Sequence, residues 1–581
     1  MSKQLDAAHG PKQLQSDMDW KENIVYEIYV RSFNDSNGDG VGDLRGIIQK
    51  IDYIEQLGVT AVWLSPIFDS PNRDYGYDVR DYFSIHPEYG TLDDFDELLE
   101  ALHERGIRLV MEIVPNHTST EHRWFQEALA SPDSPYRDYY IWRPGGEEGS
   151  PPNNWTSFLG DPAWTYDEAS DQYYFHTYAE HQPDLNWDNP QVREELYRAM
   201  IFWLEKGVDG FRVDTANVLS KNKDFPDTDE TRRIQGSGEK FYKNGPRIHE
   251  YLREMREKVF DRYPDVFTLG ESSQVTVEDV EKYTLPQRKE LDLILMIEAS
   301  KICDEPDDMW RSKPWKLSML KDIMRKWLKD LHEDAWIGMY LSNHDHVRMV
   351  SYLGDDEHHR EESAKMLSVF LMTLRGTPNL LQGEELGMTD AHFFNSIEDI
   401  KEQQALAYYD LMVNERGMEP ETILRRILGK ARDHTRTPMQ WTSEPGAGFT
   451  TGAPWQRINP NKSEINAALQ EDDPASVLNL YRRMIRLRRE HPALSLGSYE
   501  PVPELDDDEH IYAYVRERQG ERWLIVLNFS TSPRQARLPQ SLLADLQTAD
   551  CVVCTDEHRS DLLKKDVTEL APYDYYVYRL S

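Results

Sequence analysis

In Gly207-Val-Asp-Gly-Phe-Arg-Val-Asp-Thr-Ala-Asn217 a glycine ends a helical run, and a short apolar strand follows and stops on Asp214. Arg212 stands two residues earlier. Strand side chains alternate with period two, so Arg212 and Asp214 point to one side. A guanidinium beside a carboxylate orients it and holds it ionised. An isolated Arg-x-Asp at a strand end is more often a surface salt bridge. Other strand ends change those odds, because Asn116-His117, Glu271 and His344-Asp345 also close apolar runs. Three carboxylates, two imidazoles and a guanidinium converging on one face suit glycoside cleavage. There one carboxyl protonates the leaving oxygen while an ionised one attacks or stabilises an oxocarbenium-like centre. Arg212 marks Asp214 as the ionised nucleophile. Glu271 ends an apolar strand with no cation beside it in sequence, which favours a protonated acid/base. Asp345 is then the third carboxylate, holding sugar hydroxyls as charge develops.

Positioning these residues requires a regular scaffold. Strand-like runs cover 24–30, 59–65, 107–114, 210–214, 266–270, 291–296, 336–341 and 377–382, with helical patterns between them, among them 44–57, 92–104, 190–206, 245–262 and 361–374. This rhythm implies parallel strands with crossover helices. Eight of them predict an α/β fold, a (β/α)8 TIM barrel whose chemistry sits at the C-terminal strand ends. The rhythm breaks at 117–187, a Trp-, Tyr-, Pro- and Asn-rich segment too long for a loop, hence an inserted subdomain after strand three. The chain therefore divides into 1–116 and 188–493 as barrel, with a mixed insertion at about 389–460, 117–187 as insertion, and 494–581 as an antiparallel β domain.

The 581 residues carry a formal net charge of -38, which argues against nucleic acid or an anionic membrane as partner and fits a neutral small molecule. Three cysteines are too few for a disulfide framework, which predicts a reducing, cytoplasmic setting. The polar N-terminus shows no signal peptide, and no run is long enough for a membrane span. Asp35, Asn37, Asp39 and Asp43 alternate with glycines, and Val41 offers a carbonyl in between. This is the spacing of a loop curled around a hard cation, Ca²⁺ or Mg²⁺, although the twelfth-position Glu of an EF-hand is missing. No organic cofactor is implied, and the chain is expected to be a monomer or weak homo-oligomer.

At these residues the chain resembles the α-amylase superfamily, glycoside hydrolase family 13, over essentially its whole length. The resemblance rests on Glu112-Ile-Val-Pro-Asn-His117, Gly210-Phe-Arg-Val-Asp214, Gly270-Glu271 and Asn343-His-Asp345. Gln182-Pro-Asp-Leu-Asn186, Gly245-Pro-Arg-Ile-His-Glu250 and Arg436-Thr-Pro-Met-Gln-Trp441 look like the oligo-1,6-glucosidase and maltase subgroup of fungi and bacilli. Glu112 departs from the family's usual Asp, with only a local hydrogen-bond difference expected. The resemblance implies a retaining double displacement by Asp214, Glu271 and Asp345. It puts His117, Arg212 and His344 at the glucose subsite, Tyr77 under the sugar ring, and Tyr178 and Gln182 on the substrate. Asp74 and Arg436 would close the pocket, giving exo-action on short α-glucosides. The Asp35 loop resembles the subgroup's structural cation site. In the subgroup, Thr at position 215 accompanies α-1,4 substrates and Val accompanies α-1,6 ones. Thr215 therefore implies a maltase-type α-glucosidase that also splits sucrose, the alternatives being an α-1,6-specific isomaltase and a sucrose isomerase or glucosyltransferase.

Overall fold

The computed structural model describes residues 19–230 and 236–581; the polar stretch 1–18 lies outside the described residues. Among them, eight parallel strands close a barrel: β1 (Val25–Ile28), β2 (Ala61–Leu64), β3 (Arg108–Ile113), β4 (Gly210–Val213), β5 (Phe267–Glu271), β6 (Leu293–Leu295), β7 (Ile337–Met339) and β8 (Thr377–Leu381). Each pairs with its neighbour in chain order, and β8 returns to β1. The barrel is filled rather than hollow: Val25, Trp63, Val110, Phe267, Leu269, Leu293 and Tyr340 form one buried cluster inside it. Gly210 is needed where β4 approaches β5, since a Cβ there would sit 2.5 Å from the Phe267 carbonyl oxygen. Gly207, at φ 111°, ends helix Pro190–Lys206 and turns the chain into β4.

The single helix expected over 44–57 is two. Leu44–Gln49 and Ile51–Leu57 meet at Lys50, whose φ of -108° and ψ of 12° leave the helical region. The apolar stripe continues across the break through Leu44, Ile47, Ile51, Ile54 and Leu57, so periodicity alone could not reveal it. Between β3 and β4 lie a three-stranded sheet and one short helix, Arg123–Ala130. That helix is capped by His122, which is why no ordinary cap signal announced it. The mixed stretch near 389–460 holds helices Gln403–Tyr409 and Pro420–Leu428. At the C-terminus a five-stranded antiparallel sheet runs in the order Ser498–Pro501, Ile511–Arg518, Glu521–Asn528, Tyr575–Arg579, Asp550–Cys554. Cys551 and Cys554 sit on its edge strand, and all three cysteines are free thiols. Among the described residues no helix is long and apolar enough to cross a membrane.

Candidate active site

At the C-terminal barrel face three carboxylates meet on one guanidinium. Arg212 is 1% exposed. Its Nη1 donates to Asp214 Oδ1 at 2.6 Å and also pairs with Glu112, and its Nη2 lies 2.9 Å from Glu271 Oε2. The sequence view of Glu271 as an acid without a cationic neighbour is therefore corrected. In the β4–β5 register Leu269 faces Arg212 and Gly270 faces Val213, so Glu271 falls beside the end of β4, within reach of the long Arg212 side chain. Glu112 is also more than a local variation. It accepts from Trp63 Nε1 at 2.8 Å, and burial pushes it up to about 8, with Arg212 pulling it down and Asp214 pushing it up. Asp214 differs from its sequence reading as well: burial pushes it up to about 7 against the attraction of Arg212, with the charge of Glu271 adding to the rise.

Thr215 ties the Asp214 and Glu271 carboxyls together. Its backbone N–H donates to Glu271 Oε2 at 3.1 Å, and its hydroxyl donates to Asp214 Oδ2 at 3.2 Å. It does so at φ +43°, a left-handed conformation that a β-branched residue adopts only under strain.

Asp345 is held from the other side. Burial alone would raise its carboxyl, but the His344 imidazolium and the Arg432 and Arg436 guanidinium groups bring it well below the usual carboxylate range. His344 Nε2 lies 3.2 Å from Asp345 Oδ2, and Arg432 Nη1 and Arg436 Nη2 each lie 3.1 Å from Oδ1. His344 Nδ1 meets the buried Glu27 at 2.5 Å, and Asn379 donates to the other Glu27 oxygen. Burial disfavours the imidazolium, yet Asp345 and Glu27 raise His344 to about 10.

These groups border a cavity of about 860 Å³ between the barrel face and the inserted segment. Asp214, Glu271, Asp345, Asp74, Tyr77, His117, Tyr178, Gln182, Thr215 and Arg436 all line it. Arg212 and His344 stand behind it, fully buried, and act through the carboxylates rather than by facing the cavity. Tyr77 stacks on His344 with ring centroids 5.8 Å apart, and its hydroxyl lies 2.7 Å from Nε2. Gln182 Nε2 donates to Asp74 at 2.9 Å, and Arg436 Nε donates to the His344 carbonyl. His117, lowered to about 4 by burial, is neutral and faces Tyr178.

A family model described as the α-amylase catalytic domain matches residues 27–497. The chain belongs to the α-amylase family. It is a glycoside hydrolase, and a second model, the maltogenic amylase C-terminal domain, matches 504–577 of it. An oligo-1,6-glucosidase of Parageobacillus thermoglucosidasius is 46% identical to this hydrolase, covering 97% of this chain and 99% of that one. A trehalose-6-phosphate hydrolase of Bacillus subtilis is 44% identical over 97% of this chain and 98% of its own. The crystal structure of an isomaltulose synthase from Klebsiella sp. LX3 superposes with a TM-score of 0.91 at 40% identity, covering 97% of this chain and all of that one (100%).

Sequence reasoning missed three supporting residues of this hydrolase. Glu27 was visible as a lone charge in the apolar run 24–30. Arg432 stands four residues before Arg436, in a three-residue 3-10 turn, and both reach Asp345 Oδ1. Glu402, which meets Arg432 Nε at 3.1 Å, carried no signal.

The proton inventory fixes two pH dependences. His344, raised from 6.5 to about 10, stabilises the fold fully below pH 6.5 and loses that contribution as pH rises through about 10. Glu112 and Glu384, both raised to about 8, likewise keep protons in the fold that the unfolded chain has released. The buried, neutral His117, His122 and His176, lowered to about 4, 3 and 4, oppose this trend up to about pH 6.5, so the thermal midpoint should fall between about pH 7 and 10; a rise across that window would contradict this assignment. If Asp214 is the nucleophile it attacks only as a carboxylate, so kcat/KM should drop about tenfold per unit below about pH 7. An acid limb centred near about pH 4 would mean that Arg212 outweighs burial.

Proposed function

We propose that this hydrolase is a retaining, exo-acting α-glucosidase that releases terminal glucose from short α-glucosides. Maltose-type α-1,4 bonds are preferred and sucrose is a further substrate. The observation that carries the proposal is the grip of one guanidinium on both catalytic carboxyls. With Asp214 on one terminal nitrogen and Glu271 on the other, their spacing suits the about 5 Å of a double displacement. An inverting site needs about 6.5–9.5 Å to admit a water between its carboxyls. Asp214 attacks the anomeric carbon while Glu271 gives its proton to the leaving oxygen. Glu271 then takes a proton from the water that releases glucose. Asp345, kept ionised by His344, Arg432 and Arg436, bonds glucose hydroxyls as positive charge grows. Exo-action is supported by the Asp74–Gln182 pair and Arg436, which wall the cavity beside the glucose position.

The linkage proposal rests on Thr215. Its hydroxyl donates to the nucleophile's own Oδ2, which a Val could not do. Preference for α-1,6 bonds is the second reading, favoured by the oligo-1,6-glucosidase at 46% identity. Sucrose isomerisation is less supported despite the likeness to an isomaltulose synthase, since His346-Val-Arg348 after Asp345 lacks an isomerase-type loop. The cysteine economy favours a cytoplasmic enzyme.

Initial rates on maltose, isomaltose, sucrose and maltotriose test the assignment, with Asp214→Asn and Glu271→Gln as folded, inactive controls. Maltose should be split at least about tenfold faster than isomaltose, and Thr215→Val should narrow that gap. Equal rates on maltose and isomaltose sink the linkage claim, isomaltulose from sucrose favours the isomerase, and full activity in either control removes the mechanism.

We further propose that the loop 35–43 holds a structural Ca²⁺ or Mg²⁺ through Asp35, Asn37, Asp39, the Val41 carbonyl and Asp43. The donors are all hard oxygens, as such an ion requires. Asp35 accepts from the Asn37, Gly38 and Gly40 amides, and Asp43 from Ser36 and Gly46, which already curls the loop. Among the described residues no three acidic, imidazole or thiol side chains already stand close enough to bind an ion. Asp39 accepts from the Val41 amide on Oδ1 at 2.9 Å, which leaves its Oδ2 for an ion. A chelator should lower the thermal midpoint by several degrees, with recovery on adding Ca²⁺; an unmoved midpoint would leave the loop a self-satisfied turn.

A further inference from the structure

Far from the barrel face, the C-terminal sheet carries Cys551-Val-Val-Cys554, which the glycosidase chemistry leaves unused. Both thiols lie on Asp550–Cys554, the edge strand paired to Tyr575–Arg579. In an unbroken strand, residues three apart point to opposite faces with Cα atoms about 10 Å apart. A β-bulge removes both obstacles. Cys551 pairs with Tyr578 and Cys554 with Tyr576, so three steps of the edge strand match two of its neighbour. The Cα span between the cysteines shrinks to about 6.8 Å, within the about 7 Å that a disulfide allows. Packing shows the same reversal. Val552 and Val553 turn toward the core shared with the barrel, whereas Cys551 and Cys554 both pack on the smaller core that holds Tyr576 and Tyr578.

The surroundings differ enough to divide the labour between the two sulfurs. A hydrogen bond with Cys551 and the charge of Arg483 bring the Cys554 thiol below its usual range, while the same bond and burial push Cys551 up. The Arg483 guanidinium is fixed there, because it donates to the carbonyl of the bulged Val552. Such a cation favours the thiolate, which is the reactive form. Both cysteines are partly exposed, whereas Cys303 is buried and has no second cysteine near it in the chain.

We propose that Cys551 and Cys554 are a peroxide-responsive dithiol that closes reversibly to a disulfide. The Cys554 thiolate attacks one oxygen of hydrogen peroxide, the O–O bond breaks, and hydroxide leaves to take up a proton as water. Cys554 is then a sulfenic acid. The Cys551 sulfur attacks it, the S–O bond breaks, and the departing hydroxide takes the Cys551 proton as a second water. The two thiols together lose two electrons and the peroxide gains them. Closure holds Cys554 at a stage that a dithiol reductant reverses, short of the sulfinic acid that it does not.

The test exposes the full-length enzyme, reduced and then freed of reductant, to hydrogen peroxide under native conditions. Alkylation with N-ethylmaleimide, intact mass and peptide mapping read the result. Cys551 and Cys554 should lose alkylation together, in a linked peptide from a chain lighter by two hydrogens, and dithiothreitol should restore both. Cys551→Ser should leave Cys554 as a sulfenic acid that dimedone traps, and Cys554→Ser should leave Cys551 unoxidised at the same dose. Sulfinic acid on Cys554 with Cys551 still free, a disulfide joining two chains, loss spread equally over Cys303, Cys551 and Cys554, or no reaction at either thiol overturns the proposal.

Discussion

Arg212 is buried, and Glu112, Asp214 and Glu271 all reach its guanidinium. One cation cannot neutralise three anions out of water, so the cluster has to retain protons, and burial supplies the drive. Glu112 is pushed up to about 8 and Asp214 to about 7. The site is therefore charged through its proton count as well as through its residues. The same guanidinium sets the spacing of Asp214 and Glu271, so its burial under Trp63, whose ring lies 5.3 Å away, matters for both charge and geometry.

The third carboxylate is treated in the opposite way. Asp345 sees an imidazolium and two guanidinium groups and stays ionised. The imidazolium is itself secured by Glu27, from the far side of the barrel closure. Thus neighbouring carboxylates on one face are driven in opposite directions, Glu112 and Asp214 up by burial and Asp345 down by its cations. The parallel barrel makes this possible, because adjacent strand ends lie about 5 Å apart and aim short side chains at a shared space.

Much of this was legible in the chain. The strand and helix rhythm announced the barrel, because parallel strands buried on both faces read as apolar runs between helical patterns. Arg212, Asp214, Glu271 and Asp345 were legible because each closes such a run. The break at Lys50 was not, since the apolar stripe crosses it unchanged. Arg432 and Glu402 hid in an irregular stretch, and their role depends on Asp345, which approaches only in the fold. Glu27 was conspicuous as a charge among apolar neighbours, but its partner His344 lies 317 residues away.

The sequence by itself determined the scaffold, the placing of Asp214, Glu271 and Asp345 at strand ends and the Arg212–Asp214 pair, because these follow from local periodicity and spacing. Only the tertiary structure decided that Glu271 shares Arg212, that Glu112 is a third claimant on it, and that burial lifts Asp214. It also decided that the cavity runs on from Glu271 past the end of β6. Proton affinity depends on desolvation and on charges brought close by the fold, and cavity shape depends on which distant side chains face one another. Neither is a property of neighbours in the chain.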